Sequence, residues 1–189
     1  MKIDVLEDNS KVFRFKLSGA SNAYANALRR MATSHVKTFA IDSTTFYENS
    51  SAMFDEYIAH RIGLIPILTP EGYADNEEVL FTLDATGPGT VYSKDLNSSD
   101  KEVKVANDKI PIMKLANEQK LRLDCKAVLK DGASHAKFQP GIVTYDQKDD
   151  VFEFYVETFG QMPPKQIVNK AMEAIKEEMK NLEKEVKKL

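Results

Sequence analysis

The chain has a single cysteine, no long apolar run and no excess of basic residues, and each scarcity argues against a class of function. A lone thiol, Cys125, excludes an internal disulfide framework and any four-thiolate zinc or iron–sulfur site. Poverty in thiols fits a reducing cytosol. With a net charge of -3, the chain lacks the basic surplus that phosphate-binding domains carry. Its longest apolar cluster, Ile62-Gly63-Leu64-Ile65-Pro66-Ile67-Leu68, is far too short to span a bilayer. Residues 1–8 show no apolar stretch followed by a small-residue cleavage site, so a soluble, cytoplasmic protein is expected. His35, His60 and His135 are scattered without H-E-x-x-H or Cys/His spacing, so no metal is expected. Gly87-Pro88-Gly89 lacks the Gly-Lys-Ser/Thr tail and following helix of a phosphate loop. Cys125 has no nucleophile elbow and no local base, and reads as a small buried hydrophobe. No catalytic constellation emerges.

What is present is enough apolar material for a real core: 42% of 189 residues, which, with domains usually of roughly 100–150 residues, makes one medium domain or two small ones. Phe13, Phe15 and Leu17 alternate with Arg14 and Lys16, the period of a half-buried strand. Ser21 is a suitable N-cap for a helix over 22–34, whose apolar face is Tyr24, Ala27, Leu28 and Met31. A strand is expected over 36–47. A second helix is expected over 52–62, capped by Ser51 and ended by Gly63. From 71 to 145 the chain reads as short strands broken at Gly87-Pro88-Gly89, Asn107-Asp108 and Asp131-Gly132. A polar turn at 147–150 leads to a strand over 151–159. Pro163-Pro164 then opens a last helix, where first-turn amides have no intrahelical acceptor to lose. Strand-plus-helix ends around an all-β middle predict an α+β fold: one discontinuous domain from 1–44 and 146–189, and a mainly-β insert over 45–145.

In the last helix Val168, Met172, Ile175, Met179, Leu182, Val186 and Leu189 recur in steps of four and three. Such a heptad seam makes a narrow apolar stripe suited to a second helix, with lysines and glutamates on the other faces. The stripe could pack on the chain's own sheet. It persists to the last residue, however, and the helix at 22–34 is too short to cover it, which favours a partner chain. Leu28 and Met31 join it as candidate interface residues. Identical and different partners both remain open at this point. Arg29-Arg30 reach different sides of their helix with forked donors suited to carboxylate, phosphate or carbonyl groups.

The run Asn22-Ala23-Tyr24-Ala25-Asn26-Ala27-Leu28-Arg29-Arg30-Met31 resembles the N-A-L-R-R helix of the platform subunits of cellular RNA polymerases. Ala40-Ile41-Asp42 and Asp55-Glu56-Tyr57-Ile58-Ala59-His60-Arg61-Ile62-Gly63-Leu64-Ile65-Pro66-Ile67 resemble that family's A-I-D and D-E-x-x-A-H-R-L-G-L-I-P runs. Val91-Tyr92-Ser93-Lys94-Asp95-Leu96, Ile110-Pro111-Ile112, Lys114-Leu115 and His135-Ala136-Lys137 continue the match in order over nearly the whole chain.

The resemblance is strongest to the archaeal subunit-D family, related to the third-largest subunit of eukaryotic polymerase II and to bacterial alpha. It implies a non-catalytic assembly subunit of DNA-directed RNA polymerase, with the active site on the large subunits. It further implies a discontinuous dimerisation domain, a heterodimer with an alpha-like subunit L, and a platform for small subunits N and P and the second-largest, catalytic subunit. DNA is met only through the complex. By position, Asn26, Arg29, Arg30, His60, Arg61, His135 and Lys137 are the candidate subunit contacts, and Phe138 stands where relatives commonly have tryptophan. Many archaeal relatives hold an iron–sulfur cluster in a cysteine-rich insertion after H-A-K. Here residues 140–150 are few and lack cysteine, so no cofactor is expected. A homodimeric alpha-type platform and an independent nucleic-acid-binding module are the alternatives.

Overall fold

The computed structural model describes residues 1–75 and 77–188. In chain order the elements are β1 (Lys2–Asp8), β2 (Val12–Ser18), α1 (Asn22–Ser34), β3 (Lys37–Asn49), α2 (Asp55–Gly63), β4 (Glu78–Thr86) and β5 (Gly89–Tyr92). There follow β6 (Asn97–Ser98), β7 (Pro111–Leu115), β8 (Lys120–Asp131), β9 (Gly141–Lys148), β10 (Val151–Thr158) and α3 (Pro164–Val186). Helices and antiparallel sheets divide between two compact units, 1–37 with 131–189 and 38–130.

The terminal unit is a four-stranded sheet, order β1-β2-β10-β9, with α1 and α3 on one face. Alternation decides which face they cover. Phe13, Phe15 and Leu17 of β2 and Phe152, Phe154 and Val156 of β10 point inward and are buried. Phe15 stacks on Phe154 with ring centroids 4.9 Å apart. Against them α1 lays Ala25, Leu28 and Ala32, and α3 lays Ile167, Val168 and Ala171. Ser21 starts α1 as its chemistry suggests, its Oγ accepting from the Tyr24 N–H at 3.2 Å. Two glycines permit close backbone approach within this unit: a Cβ on Gly132 would lie 2.3 Å from the Thr33 carbonyl oxygen, and one on Gly141 2.1 Å from that of Glu157.

The inner unit joins a sheet of order β3-β8-β4-β6 to a β5-β7 ribbon and α2. Phe39, Ile41, Phe81, Leu83, Leu121, Leu123 and Cys125 form its core with Ile58 and Ile62 of α2. The buried Thr69 hydroxyl oxygen accepts from the Phe39 N–H at 2.9 Å, so this backbone donor is not left unmet.

Four expectations differ from what is observed. The second helix begins at Asp55, not at 52, and Ser51 does not cap it. Asn49 organises the intervening turn instead: its Oδ1 accepts from the Ser51 N–H at 3.1 Å, and its Nδ2 donates to the Met53 carbonyl at 2.9 Å and to Asp55 at 2.7 Å. Gly63 remains helical and Leu64 follows as C-cap. β1, which no expectation named, pairs along β2 with a bulge between Val5 and Glu7. The compact units divide after residues 37 and 130 where 44 and 145 were expected, and β9, paired in unbroken register with β10, lies in the terminal sheet.

Candidate subunit interface

The heptad stripe of α3 is split in two by its surroundings. Val168 is buried, and Met172 and Ile175 pack partly against the terminal unit's core. Beyond them the helix leaves its own sheet behind. Met179 is 64% exposed, Leu182 59% and Val186 58%. Leu189 lies outside the described residues. Two of the expected interface residues, Val168 and Leu28 of α1, are enclosed by the unit itself. Met31 is half-buried against the same core. The free stripe is the distal half of α3 alone.

A second apolar strip was missed in the sequence. Ile3 pairs with Leu17 and Val5 with Phe15, so both share the helix-bearing face of the sheet. Yet they are 52% and 55% exposed, because the helices do not extend over β1. The alternation of Ile3 and Val5 was a legible signal, masked by the charged residues between and after them.

The remaining candidates divide between the two units. On α1, Arg29 donates through Nη2 to the Asn26 Oδ1 at 2.9 Å, one helical turn back, while Arg30 is exposed. Farther along the terminal unit, His135 accepts the Lys137 N–H at Nδ1, 3.0 Å, and caps a short turn that buries Phe138. Lys137 Nζ sits 5.3 Å from the Phe138 ring centroid. In the inner unit His60 is exposed, whereas Arg61 is engaged at home. Its Nε donates to the Ile112 carbonyl at 2.8 Å and its Nη2 to the Pro111 carbonyl at 2.7 Å, tying α2 to β7. Ser93 is similarly structural: its buried hydroxyl donates to the Asn107 carbonyl and accepts the Ile110 N–H at 3.2 Å. Several motif residues thus hold backbone turns in shape. The inner unit also exposes Phe54 (70%) and Tyr57 (65%), stacked at 6.3 Å beside a groove with Met53 and Met113. Their spacing of three, from the N-cap of α2 into its first turn, was the signal that could have found them.

The Cys125 thiol is buried in the inner core, and burial raises its pKa to about 11; the Thr44 hydroxyl 3.7 Å away is its hydrogen-bond partner. Among the described residues no three His, Cys, Asp or Glu side chains converge as a metal site, and no helix is long and apolar enough to cross a membrane.

Residues 40–147 match the family model described as the RNA polymerase Rpb3/RpoA insert domain, which defines the class as an alpha-like RNA polymerase subunit. The chain is 47% identical over 165 residues to DNA-directed RNA polymerase subunit Rpo3 of Methanocaldococcus jannaschii, covering 87% of this chain and 84% of that one. It is 47% identical over 152 residues to Rpo3 of Thermococcus kodakarensis and 44% over 140 residues to that of Halobacterium salinarum. Those two matches cover 77% and 74% of this chain but only 59% and 56% of the relatives. The chain belongs to the family of archaeal DNA-directed RNA polymerase subunit Rpo3, which is the subunit-D family under another name.

Proposed function

We propose that the chain is a non-catalytic assembly subunit of the polymerase, which pairs with the smaller alpha-like subunit L. The pair then forms the cytoplasmic platform on which subunits N and P and the second-largest, catalytic subunit gather. The observation that carries this reading is the distal half of α3, which presents Met179, Leu182 and Val186 to solvent on a helix anchored at its other end. Exposed apolar side chains in a regular stripe gain free energy only when something covers them. An anchored helix also loses little freedom on being covered, so less of the gain is offset.

The same reading places nucleotidyl transfer on the large subunits, since this chain offers one buried thiol and no acid–base pair around it. It assigns the chain no iron–sulfur cluster, because residues 140–150 supply no cysteine. Co-expression with the L-type subunit followed by light scattering tests it. A one-to-one complex is expected, and two proteins that elute separately at their own masses would end the proposal. A homodimer would instead appear without any added partner.

A further inference from the structure

The exposed part of α3 has rims as well as a stripe. On a helix whose stripe runs Met172, Ile175, Met179, Leu182, Val186, the flanking positions are those just beside the apolar ones. One rim carries Glu178 and Glu185, the other Lys176 and Glu183, all exposed. Glu183 and Glu185 currently hold surface pairs with Lys187 at 2.6 Å and Lys188 at 2.5 Å. Exposed pairs of this kind exchange readily, because each is worth little. Lys180, Lys184 and Lys187 lie farther round the helix, away from the stripe.

A second copy of this helix fits these rims poorly. In a parallel pair Glu178 of each copy would face Glu183 of the other, giving only like charges across the seam. In an antiparallel pair centred on Met179 and Leu182, Glu178 would face Glu185, and the Lys176–Glu183 contacts would merely offset that repulsion. A helix with lysine or arginine along its own rims would instead meet Glu178, Glu183 and Glu185 with opposite charge in either direction.

We propose that Glu178, Glu183 and Glu185 select the partner of α3: a non-identical amphipathic helix with basic rims, which these residues favour over a second copy of α3. This rests on the assembly reading above and adds to it which side chains choose the partner.

The test uses the full chain and the variant Glu178→Lys/Glu183→Lys/Glu185→Lys in analytical ultracentrifugation at low and high salt. Wild type alone and variant alone are expected to stay monomeric. Their equimolar mixture is expected to dimerise severalfold more tightly than either, since at least two like-charge contacts across the seam become opposite-charge contacts, each worth about twofold to threefold. High salt should erase the gain. Wild type pairing with itself through α3 as tightly as the mixture would overturn the proposal, as would a mixture no tighter than its components.

In a second arm the L-type subunit is titrated into each chain. The lysine variant should lose about tenfold in affinity. Glu→Gln at the same three positions, which leaves fewer like charges on the helix and guards against a misfolded lysine variant, should lose about threefold and all its salt dependence. Wild type and both variants pairing equally well with the L-type subunit would refute the rim while leaving the heterodimer standing. No pairing by wild type would refute the heterodimer, and the mixing experiment would still judge the rim.

Discussion

Leu182→Asp separates the surface of α3 from its core more cleanly than any other change. Leu182 is 59% exposed, so its own unit holds little of it. Full burial of a leucine is worth about 1.5–3 kcal/mol, so covering the exposed part yields about 1–2 kcal/mol on association. The aspartate forfeits that gain and adds the cost of desolvating a carboxylate beside apolar neighbours, about 2–3 kcal/mol after partial relaxation. Together these amount to about 4 kcal/mol, roughly a thousandfold in dissociation constant. The isolated chain should hardly respond, because the substitution costs it only a few tenths of a kcal/mol in helix propensity. Calorimetric titration with the L-type subunit measures the first number and thermal melting of the chain alone the second. Pairing at wild-type strength would refute the reasoning outright. Ile175→Asp is the weaker probe, since Ile175 already packs on the core and its loss would confuse unfolding with failure to pair.

Three further outcomes are expected. Phe154→Ala should destabilise the chain by about 3–5 kcal/mol in urea unfolding, because Phe154 is fully buried and stacked on Phe15. Arg61→Ala should lower stability by about 2 kcal/mol, leaving the Ile112 and Pro111 carbonyls without their charged donor; an unchanged melting temperature would mean those bonds contribute nothing. The Cys125 thiol should react with a disulfide reagent at pH 8 only as fast as the inner unit opens, and at once in denaturant. Since burial lifts its pKa from 9.0 to about 11, the folded state holds the proton more tightly than the unfolded chain does. Its contribution is therefore intact below pH 9 and is lost as pH rises through about 11, a fall that Cys125→Ala should remove from the alkaline limb of the stability curve.

The sequence disclosed those parts of the fold in which one residue type has one physical use. Alternating Phe13, Phe15 and Leu17 can bury only one face of a strand, and Ser21 before an apolar helical period is a cap in search of a helix. The start of α2 was hidden because Ser51 and Asn49 are both good local hydrogen-bonders, and Asn49 won by reaching three groups at once. The roles of Arg61 and Ser93 were equally illegible, since their acceptors lie 51 and 14 residues away in sequence. Periodicity identified the α3 stripe but not its division. Which turns of a helix rest on the sheet depends on where that sheet ends, and no local pattern records that.

That division gives α3 two separable duties. Its first turns, with Ile167, Val168 and Ala171, complete the terminal core, so changes there must cost stability before they can affect anything else. Its later turns contribute almost nothing to that core. The stripe nonetheless keeps one register through both, so a helix laid on Met179, Leu182 and Val186 would continue the packing begun at Val168. Such a partner binds only the folded unit and stabilises it by mass action, without touching the sheet. Variants of the first turns should then lose stability and pairing together, while variants of the last turns lose pairing alone. A Val186→Asp chain that melted earlier than wild type in the absence of any partner would contradict this separation.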